Sequence, residues 1–242
     1  MITVLVEPAD LAGERLELAG DRYHHLVRVR RAGVGTELRL VDGAGEARQG
    51  RIERVDRRSA GVLLGAPVPG LEPHRHVELI VAPPRPERAS WMVEKATELG
   101  VAAVRFVATE RDPRSIGEGN LERLRRVAAA ALEQCGGSRL PALSGVHAFS
   151  ELPSLLAALP RRLCLDFGGS AFPAPDDAAL ALLVGPEGGW TAGERSTLAA
   201  LGCEAIALGQ RVLRVETAAL AAATLAFHSG SVASASAAAF LR

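Results

Sequence analysis

The sequence predicts an α/β chain in two parts: a small β domain over residues 1–70, then a parallel-sheet domain with helices on both faces over residues 75–230. Three observations predict it. The first seventy residues hold short strand-like runs separated by glycine turns, the remainder alternates apolar strands with helical segments, and a proline-rich stretch divides the two.

In the first part, Ile2–Val6, Thr36–Val41, Glu46–Val55 and Gly61–Val68 read as strands. Thr36-Glu-Leu-Arg-Leu-Val41 alternates as a half-buried strand does, and Gly33-Val-Gly35 and Asp42-Gly-Ala-Gly45 supply turns. Asp21 is placed to cap a helix over Arg22–Arg31, one face of which carries His24, His25, Arg28 and Arg31. Short strands of this kind bury their edges in a closed or nearly closed barrel. Pro67-Val-Pro-Gly-Leu-Glu-Pro73 stops both helix and strand and reads as a linker.

Beyond the linker, His76–Ala82, Ala102–Ala108, Arg162–Phe167, Ala179–Val184 and Glu204–Leu208 are expected strands. Glu87–Leu99, closed by Gly100, and Asn120–Cys135, Ser150–Leu159, Thr191–Leu201 and Val215–Gly230 are expected helices. Strands alternating with helices at this spacing imply a parallel sheet covered on both faces. The Ser/Ala-rich tail, residues 231–242, is expected to be flexible.

Composition removes several classes of function. The formal net charge is zero, from 28 basic and 28 acidic residues, which excludes a uniformly basic nucleic-acid coat. Charge is nonetheless uneven: residues 22–58 hold ten arginines and five acids, net +5, whereas residues 127–242 hold seven cations and nine acids, net −2. Lys95 is the only lysine, so the remaining cations are arginines, suited to bidentate phosphate contacts. Cys135, Cys164 and Cys203 are odd in number and far apart, which supports neither a disulfide framework nor a zinc site and fits a reducing cytoplasm. No targeting signal is read at the N-terminus, and no apolar run approaches the ~18 residues of a membrane span.

In open α/β sheets, ligands bind at the carboxyl ends of strands. Two loops stand out there. Gly185-Pro-Glu-Gly-Gly-Trp190 leaves an apolar strand and enters a helix through a capping box, Thr191 with Glu194, so it is either a ligand loop or a tight turn. Leu208-Gly-Gln-Arg-Val-Leu-Arg-Val-Glu-Thr217 crowds Arg211, Arg214 and Glu216 into six residues between apolar elements. An Arg–Glu pair capping the last helix would explain Glu216 but not two arginines. Ser90–Gly100 with Thr109-Glu-Arg111 reads as a salt-bridged outer surface, and Glu133-Gln-Cys-Gly-Gly-Ser-Arg139 as a helix C-cap. There is no dinucleotide fingerprint, Walker loop, nucleophile elbow or H-E-x-x-H motif.

Taken in order, T-E-L-G, T-E-R, E-Q-C-G, G-P-E-G-G-W and L-G-Q-R-V-L-R-V-E-T-A, behind His25-Leu-Val-Arg28, resemble the RsmE family. These are methyltransferases that modify N3 of a uridine in small-subunit (16S) ribosomal RNA. The resemblance runs from about Tyr23 to Phe227. It implies a SPOUT-type domain whose C-terminal segment forms a trefoil knot, a PUA-like N-terminal barrel that binds RNA, S-adenosylmethionine as methyl donor, a homodimer, and 16S RNA or the assembled small subunit as partner, with no membrane and no metal. Carried over by motif, cofactor-binding residues are Leu165, Gly185, Pro186, Glu187, Gly188, Leu208, Gly209, Val212, Leu213 and Thr217. Catalytic candidates are Arg211, Arg214 and Glu216, the arginines to balance charge on a uridine that has lost its N3 proton, and Glu216 or Glu187 to orient them or accept that proton. His25, Arg28, Arg30, Arg31 and Arg139 are candidates for RNA contact.

The chain departs from the family pattern at Met1–Val6, which lacks the usual arginine and aromatic residue, at Gly137 in place of an arginine, and at Trp190 in place of phenylalanine. A SPOUT enzyme acting on a ribose 2′-hydroxyl and an RNA-binding module without transferase activity are the competing readings.

Overall fold

A computed structural model describes residues 1–112, 114, 116–174 and 176–228. The expected tail and the last two residues of the expected Val215–Gly230 helix lie outside these. The chain divides into two compact units, Met1–Glu72 with Arg125–Pro141, and Pro73–Leu124 with the chain from Ala142 onward.

The first unit is a five-stranded sheet, β1 (Ile2–Leu5), β2 (Arg15–Ala19), β3 (Glu37–Val41), β4 (Ala47–Val55) and β5 (Ser59–Pro67), in the order β1-β3-β4-β5-β2. β1 runs parallel to β3 and the other pairings are antiparallel. Strand β2 is a finding beyond the sequence reading, although Arg15-Leu-Glu-Leu-Ala19 alternates, burying Leu16 and Leu18. The strands enclose one core that includes Val4, Leu18, Leu26, Leu38, Leu40 and Ile52, and two register shifts between β4 and β5 help bend the sheet around it. A closed barrel does not form among the described residues. The edge of β1 is met instead by a side chain, Glu133, whose Oε1 accepts the Leu5 N–H at 2.8 Å.

The expected Arg22–Arg31 helix also differs. α1 (Gly20–Tyr23) starts after Ala19, with Asp21 in its first turn rather than at its cap, and continues as a π-helix over His24–Val29. The π step shows in the bond from Arg30 N to His25 O, 2.9 Å. The proline-rich linker is held down at both ends: buried Arg39 donates to Pro69 O at 3.0 Å and to Gly136 O at 3.1 Å, while Glu72 Oε1 accepts from the N–H groups of Ser138 and Arg139.

The second unit carries a six-stranded, all-parallel sheet of β6 (Val77–Val81), β7 (Ala103–Val107), β8 (Ala142–His147), β9 (Arg161–Ser170), β10 (Leu180–Val184) and β11 (Glu204–Ile206), ordered β11-β9-β10-β6-β7-β8. β8 was not expected, and β9 runs three residues past the expected Phe167 because its far end continues to pair with β11, Ser170 against Ile206. Helices α2 (Pro86–Leu99), α3 (Glu118–Cys135), α4 (Leu152–Leu155), α5 (Ala192–Ala200) and α6 (Val215–His228) complete the set. The expected Ser150–Leu159 helix is instead a 3₁₀ turn, Phe149–Glu151, followed by the short α4, whose first turn accommodates Pro153. α6 packs on α2, β6 and β10, while α4, α5 and Trp190 cover the other face of β10 with Ile80, Leu183 and Leu198.

Cys164 and Cys203 sit in that second core, where burial pushes their thiols up to about 11 and about 12. Thiolates are the reactive species, so an alkylating reagent at pH 8 is expected to modify half-buried Cys135 first and the other two only on unfolding. Peptide mapping after timed labelling checks this.

Candidate active site

Chain order reverses about β6: β7 and β8 lie on one side of it, β10, β9 and β11 on the other. Such a switch point leaves a crevice at the carboxyl ends of the strands. A cleft lies to one side of that point, bounded by β9 at Leu165–Phe167, the end of β10, the segment after β11 and the start of α6. Of the residues proposed to hold a cofactor, Leu165, Gly185, Pro186, Glu187, Leu208, Gly209, Val212 and Leu213 line it. Gly188 and Thr217 do not. Arg211 lines it too, whereas Arg214 and Glu216 do not.

Helical rotation explains the start of α6. Successive residues turn by about 100°, so Val215 and Ala218 face the cleft. Thr217 is exposed. Glu216 is only 4% exposed and its Oε1 meets Arg88 Nε of α2 at 3.6 Å. Glu216, a catalytic candidate, is thus a buried carboxylate tied to a neighbouring helix and does not line the cleft. Arg214 is exposed one residue before α6, and its carbonyl accepts the Ala218 N–H at 2.9 Å.

Loop Gly185–Trp190 is braced from two directions. Trp190, 3% exposed, packs its ring where a Cβ on Gly185 would come within 2.8 Å, and its indole N–H donates to Leu165 O at 3.0 Å. Tryptophan thus supplies a bond that phenylalanine cannot, and it occupies the carbonyl at the bend of β9. From the other side, Arg111 donates to the carbonyl of Gly188, and the buried Glu194 carboxylate accepts both Thr191 N at 2.8 Å and Glu110 N at 2.9 Å. The T-E-R motif, expected on a salt-bridged surface with Glu94, instead pins this loop. Glu94 and Glu98 both take Lys95, each at 2.7 Å.

The sequence reading gave no site role to Asp166, Phe167, Val184, Ile206, Ala207 or Val215, which also line the cleft. Asp166 sits one step past apolar Leu163–Leu165 in a strand, which was the available signal. Its carboxylate accepts Arg195 Nη2 at 3.1 Å and the Phe167 N–H at 2.9 Å, and the Arg195 bonds hold its pKa below the ordinary carboxylate value. A depressed folded-state pKa gives stability that is present above the ordinary pKa and lost as pH falls through the folded value. Asp166→Asn is therefore expected to lower the melting temperature near neutrality, to change it little well below about pH 4, and so to flatten its fall in acid, a comparison made by thermal melts across pH.

In the first unit, His25, Arg28, Arg30 and Arg31 are all exposed, and Arg31 adopts φ +56° at the end of the π-helix. Arg139 is exposed beside the Gly43–Ala44 turn, to which it bridges. Among the described residues no group of three or more His, Cys, Asp or Glu could hold a metal ion, and no helix is long and apolar enough to cross a membrane.

Residues 71–226 match the family described as RNA methyltransferase domain, and residues 18–64 match the RNA methyltransferase PUA domain. A ribosomal RNA small subunit methyltransferase E from Mycobacterium bovis is 32% identical over 224 residues, 84% of this chain and 82% of that protein. The chain belongs to the ribosomal RNA small subunit methyltransferase E family. Two solved structures agree across both units. The methyltransferase E of Neisseria gonorrhoeae bound to S-adenosylmethionine superposes with TM-score 0.78 at 26% identity, covering 93% of this chain and 96% of that one. A methyltransferase from Legionella pneumophila with the same bound cofactor gives 0.77 at 28% identity, covering 93% and 95%. In this family member the first unit is the PUA-like domain and the parallel sheet the methyltransferase core.

Proposed function

We propose that this chain transfers a methyl group from S-adenosylmethionine to N3 of a uridine in small-subunit ribosomal RNA, and that the cleft holds the donor. The observation that carries the reading is the convergence of both glycine-containing motif loops on one cleft beside the ends of β9 and β10. Its chemistry fits an adenosyl group. Leu165, Val184, Ile206, Leu208 and Leu213 give apolar walls, and Gly209, at φ +128°, turns the chain sharply where a side chain would be strained.

Bound there, S-adenosylmethionine supplies an electrophilic methyl on a sulfonium. The protein's part is to place the acceptor in line and to manage one proton and one negative charge. Uridine N3 is protonated at neutral pH, so that proton must leave before or during transfer. Arg211, exposed at the cleft wall, is placed to balance the charge left on the base carbonyls. Arg214, next to α6, is available to a substrate phosphate rather than to the donor. Glu187 lines the cleft and is the carboxylate in position to accept the N3 proton. Asp166 is a poorer acceptor because its bonds to Arg195 lower the basicity of its carboxylate.

The finer features follow the same reading: the segment after β11 threads as the trefoil knot of SPOUT enzymes, the protein works as a homodimer in the cytoplasm, and His25, Arg28, Arg30, Arg31 and Arg139 meet RNA phosphates. Incubation with the donor and either naked small-subunit RNA or assembled subunits, followed by nucleoside mass spectrometry, is expected to yield 3-methyluridine. A 2′-O-methylated nucleoside, or donor binding without any methylation, would overturn the assignment.

A further inference from the structure

A second cavity lies in the first unit beside β1, lined by Ile2, Thr3 and Val4 of that strand, by His25 and Leu26 of the π-helix, and by Glu133. Strand β1 is an edge, paired on one side only, with β3. Val6 donates its N–H back to Val41 O at 2.9 Å, while Leu5 turns the other way and gives its N–H to Glu133 Oε1 at 2.8 Å. Backbone groups of successive strand residues alternate in direction, so Thr3 turns as Leu5 does. Its N–H and C=O point away from β3 into the cavity that Thr3 lines, on a side where no strand pairs among the described residues.

Read along this edge, the wall presents a donor, the Thr3 N–H, then an acceptor, the Thr3 C=O, then a second acceptor, the Glu133 carboxylate. Guanine's Watson–Crick edge carries the complement in the same order: the O6 acceptor, the N1–H donor and the N2–H donor. Uracil would set its second carbonyl against the carboxylate, cytosine has two acceptors and one donor, and adenine has a single donor beside one acceptor. Guanine alone satisfies all three groups. Leu26, 1% exposed, gives an apolar wall for the base plane. Arg22, also at the cavity, is held by Glu7 at 2.9 Å, which leaves phosphates to exposed Arg28, Arg30 and Arg31 on the same helical stretch.

We propose that this cavity is a base pocket for one unstacked guanosine of the RNA, read by the Thr3 backbone edge and Glu133. The pocket rests on the reading of the chain as an RNA enzyme but is independent of the cleft. Single-stranded sequence recognition in RNA works through such splayed bases.

The test is fluorescence anisotropy of the full chain with short single-stranded RNAs that differ at one position. A guanosine-containing oligomer is expected to bind about tenfold more tightly than its inosine counterpart, which lacks only the N2 amine, or its uridine counterpart. The 7-deazaguanosine version, which keeps the Watson–Crick edge, should match guanosine. Glu133→Gln can still accept the Leu5 N–H but turns an amide toward the base, so it should abolish the guanosine preference while leaving uridine oligomers bound as before. Equal binding of guanosine and inosine oligomers by the unmodified protein would overturn the pocket, as would a preference that survives in Glu133→Gln. Calorimetry with S-adenosylmethionine on the same preparation separates the two readings: donor binding without guanosine preference sinks the pocket alone, and guanosine preference without donor binding sinks the enzyme assignment alone.

Discussion

Arg211→Ala is expected to lower turnover on small-subunit RNA by about 10²–10³-fold, the usual cost of removing one preorganised group that balances transition-state charge, with donor affinity changed by less than about threefold. The asymmetry follows from geometry. Arg211 is an exposed side chain at a cleft whose other walls are largely strand ends and apolar side chains, so its loss leaves the donor's surroundings in place. An unchanged turnover would remove Arg211 from the chemistry. Equal losses in turnover and donor binding would instead make it a binding residue. Arg214→Ala, one residue before α6 and outside the cleft, should raise KM for RNA more than it lowers kcat, because a phosphate contact acts on substrate binding more than on the charge of the base. Calorimetry for donor binding and steady-state methylation at varied RNA concentration distinguish these cases.

Gly169→Ala is expected to be the most damaging single substitution to stability. Where β9 meets β11, a Cβ on Gly169 would come within 2.4–2.5 Å of the backbone of Ile206. Backbone cannot rotate aside as a side chain can, so the two strands must separate. Overpacking of this kind costs about 3 kcal/mol, and for a chain of this size that lowers the melting temperature by on the order of 6–12 °C. Ile206 also lines the cleft, so donor affinity should fall with it. Neighbouring Gly168 is the internal comparison, because a Cβ there meets nothing within 4 Å. Thermal melts of Gly168→Ala and Gly169→Ala side by side decide the matter; similar melting temperatures for the two would refute the tight crossing.

Much of the fold was legible from local pattern. The strand within Thr36–Val41, the apolar runs within His76–Ala82 and Ala179–Val184, and the Thr191/Glu194 capping box all depend on residues a few positions apart, and each formed, although β3 buries Leu38 through Val41 without the expected half-buried alternation because Arg39 is taken inward by Pro69 and Gly136 carbonyls. β2 and β8 escaped because Arg15–Ala19 is short and charged at its outer positions and Ala142–His147 holds mostly small or polar residues. Each is a strand only because a neighbour pairs with it. The π-helical turn at His24–Val29 escaped for a related reason, since an α-helical spacing of His24, His25, Arg28 and Arg31 looks the same until the wider turn forms.

By itself the sequence determined the family, through the spacing and order of its loop motifs, and the division into a basic β domain and an α/β domain. It also determined that the cleft's loops would come from strand ends, because glycines and helix caps mark such loops locally. Tertiary structure decided which members of those loops face the ligand. Arg211 and Glu216 are five positions apart and equally suggestive as letters, yet the turn into α6 leaves one in the cleft and sends the other, buried, to Arg88. Asp166 and Ile206 reach the cleft because β9 and β11 pair there, and Thr3 lies on an open edge because β1 pairs on one side only. Those outcomes depend on residues far apart in the chain, whose proximity is set by packing rather than by any local pattern.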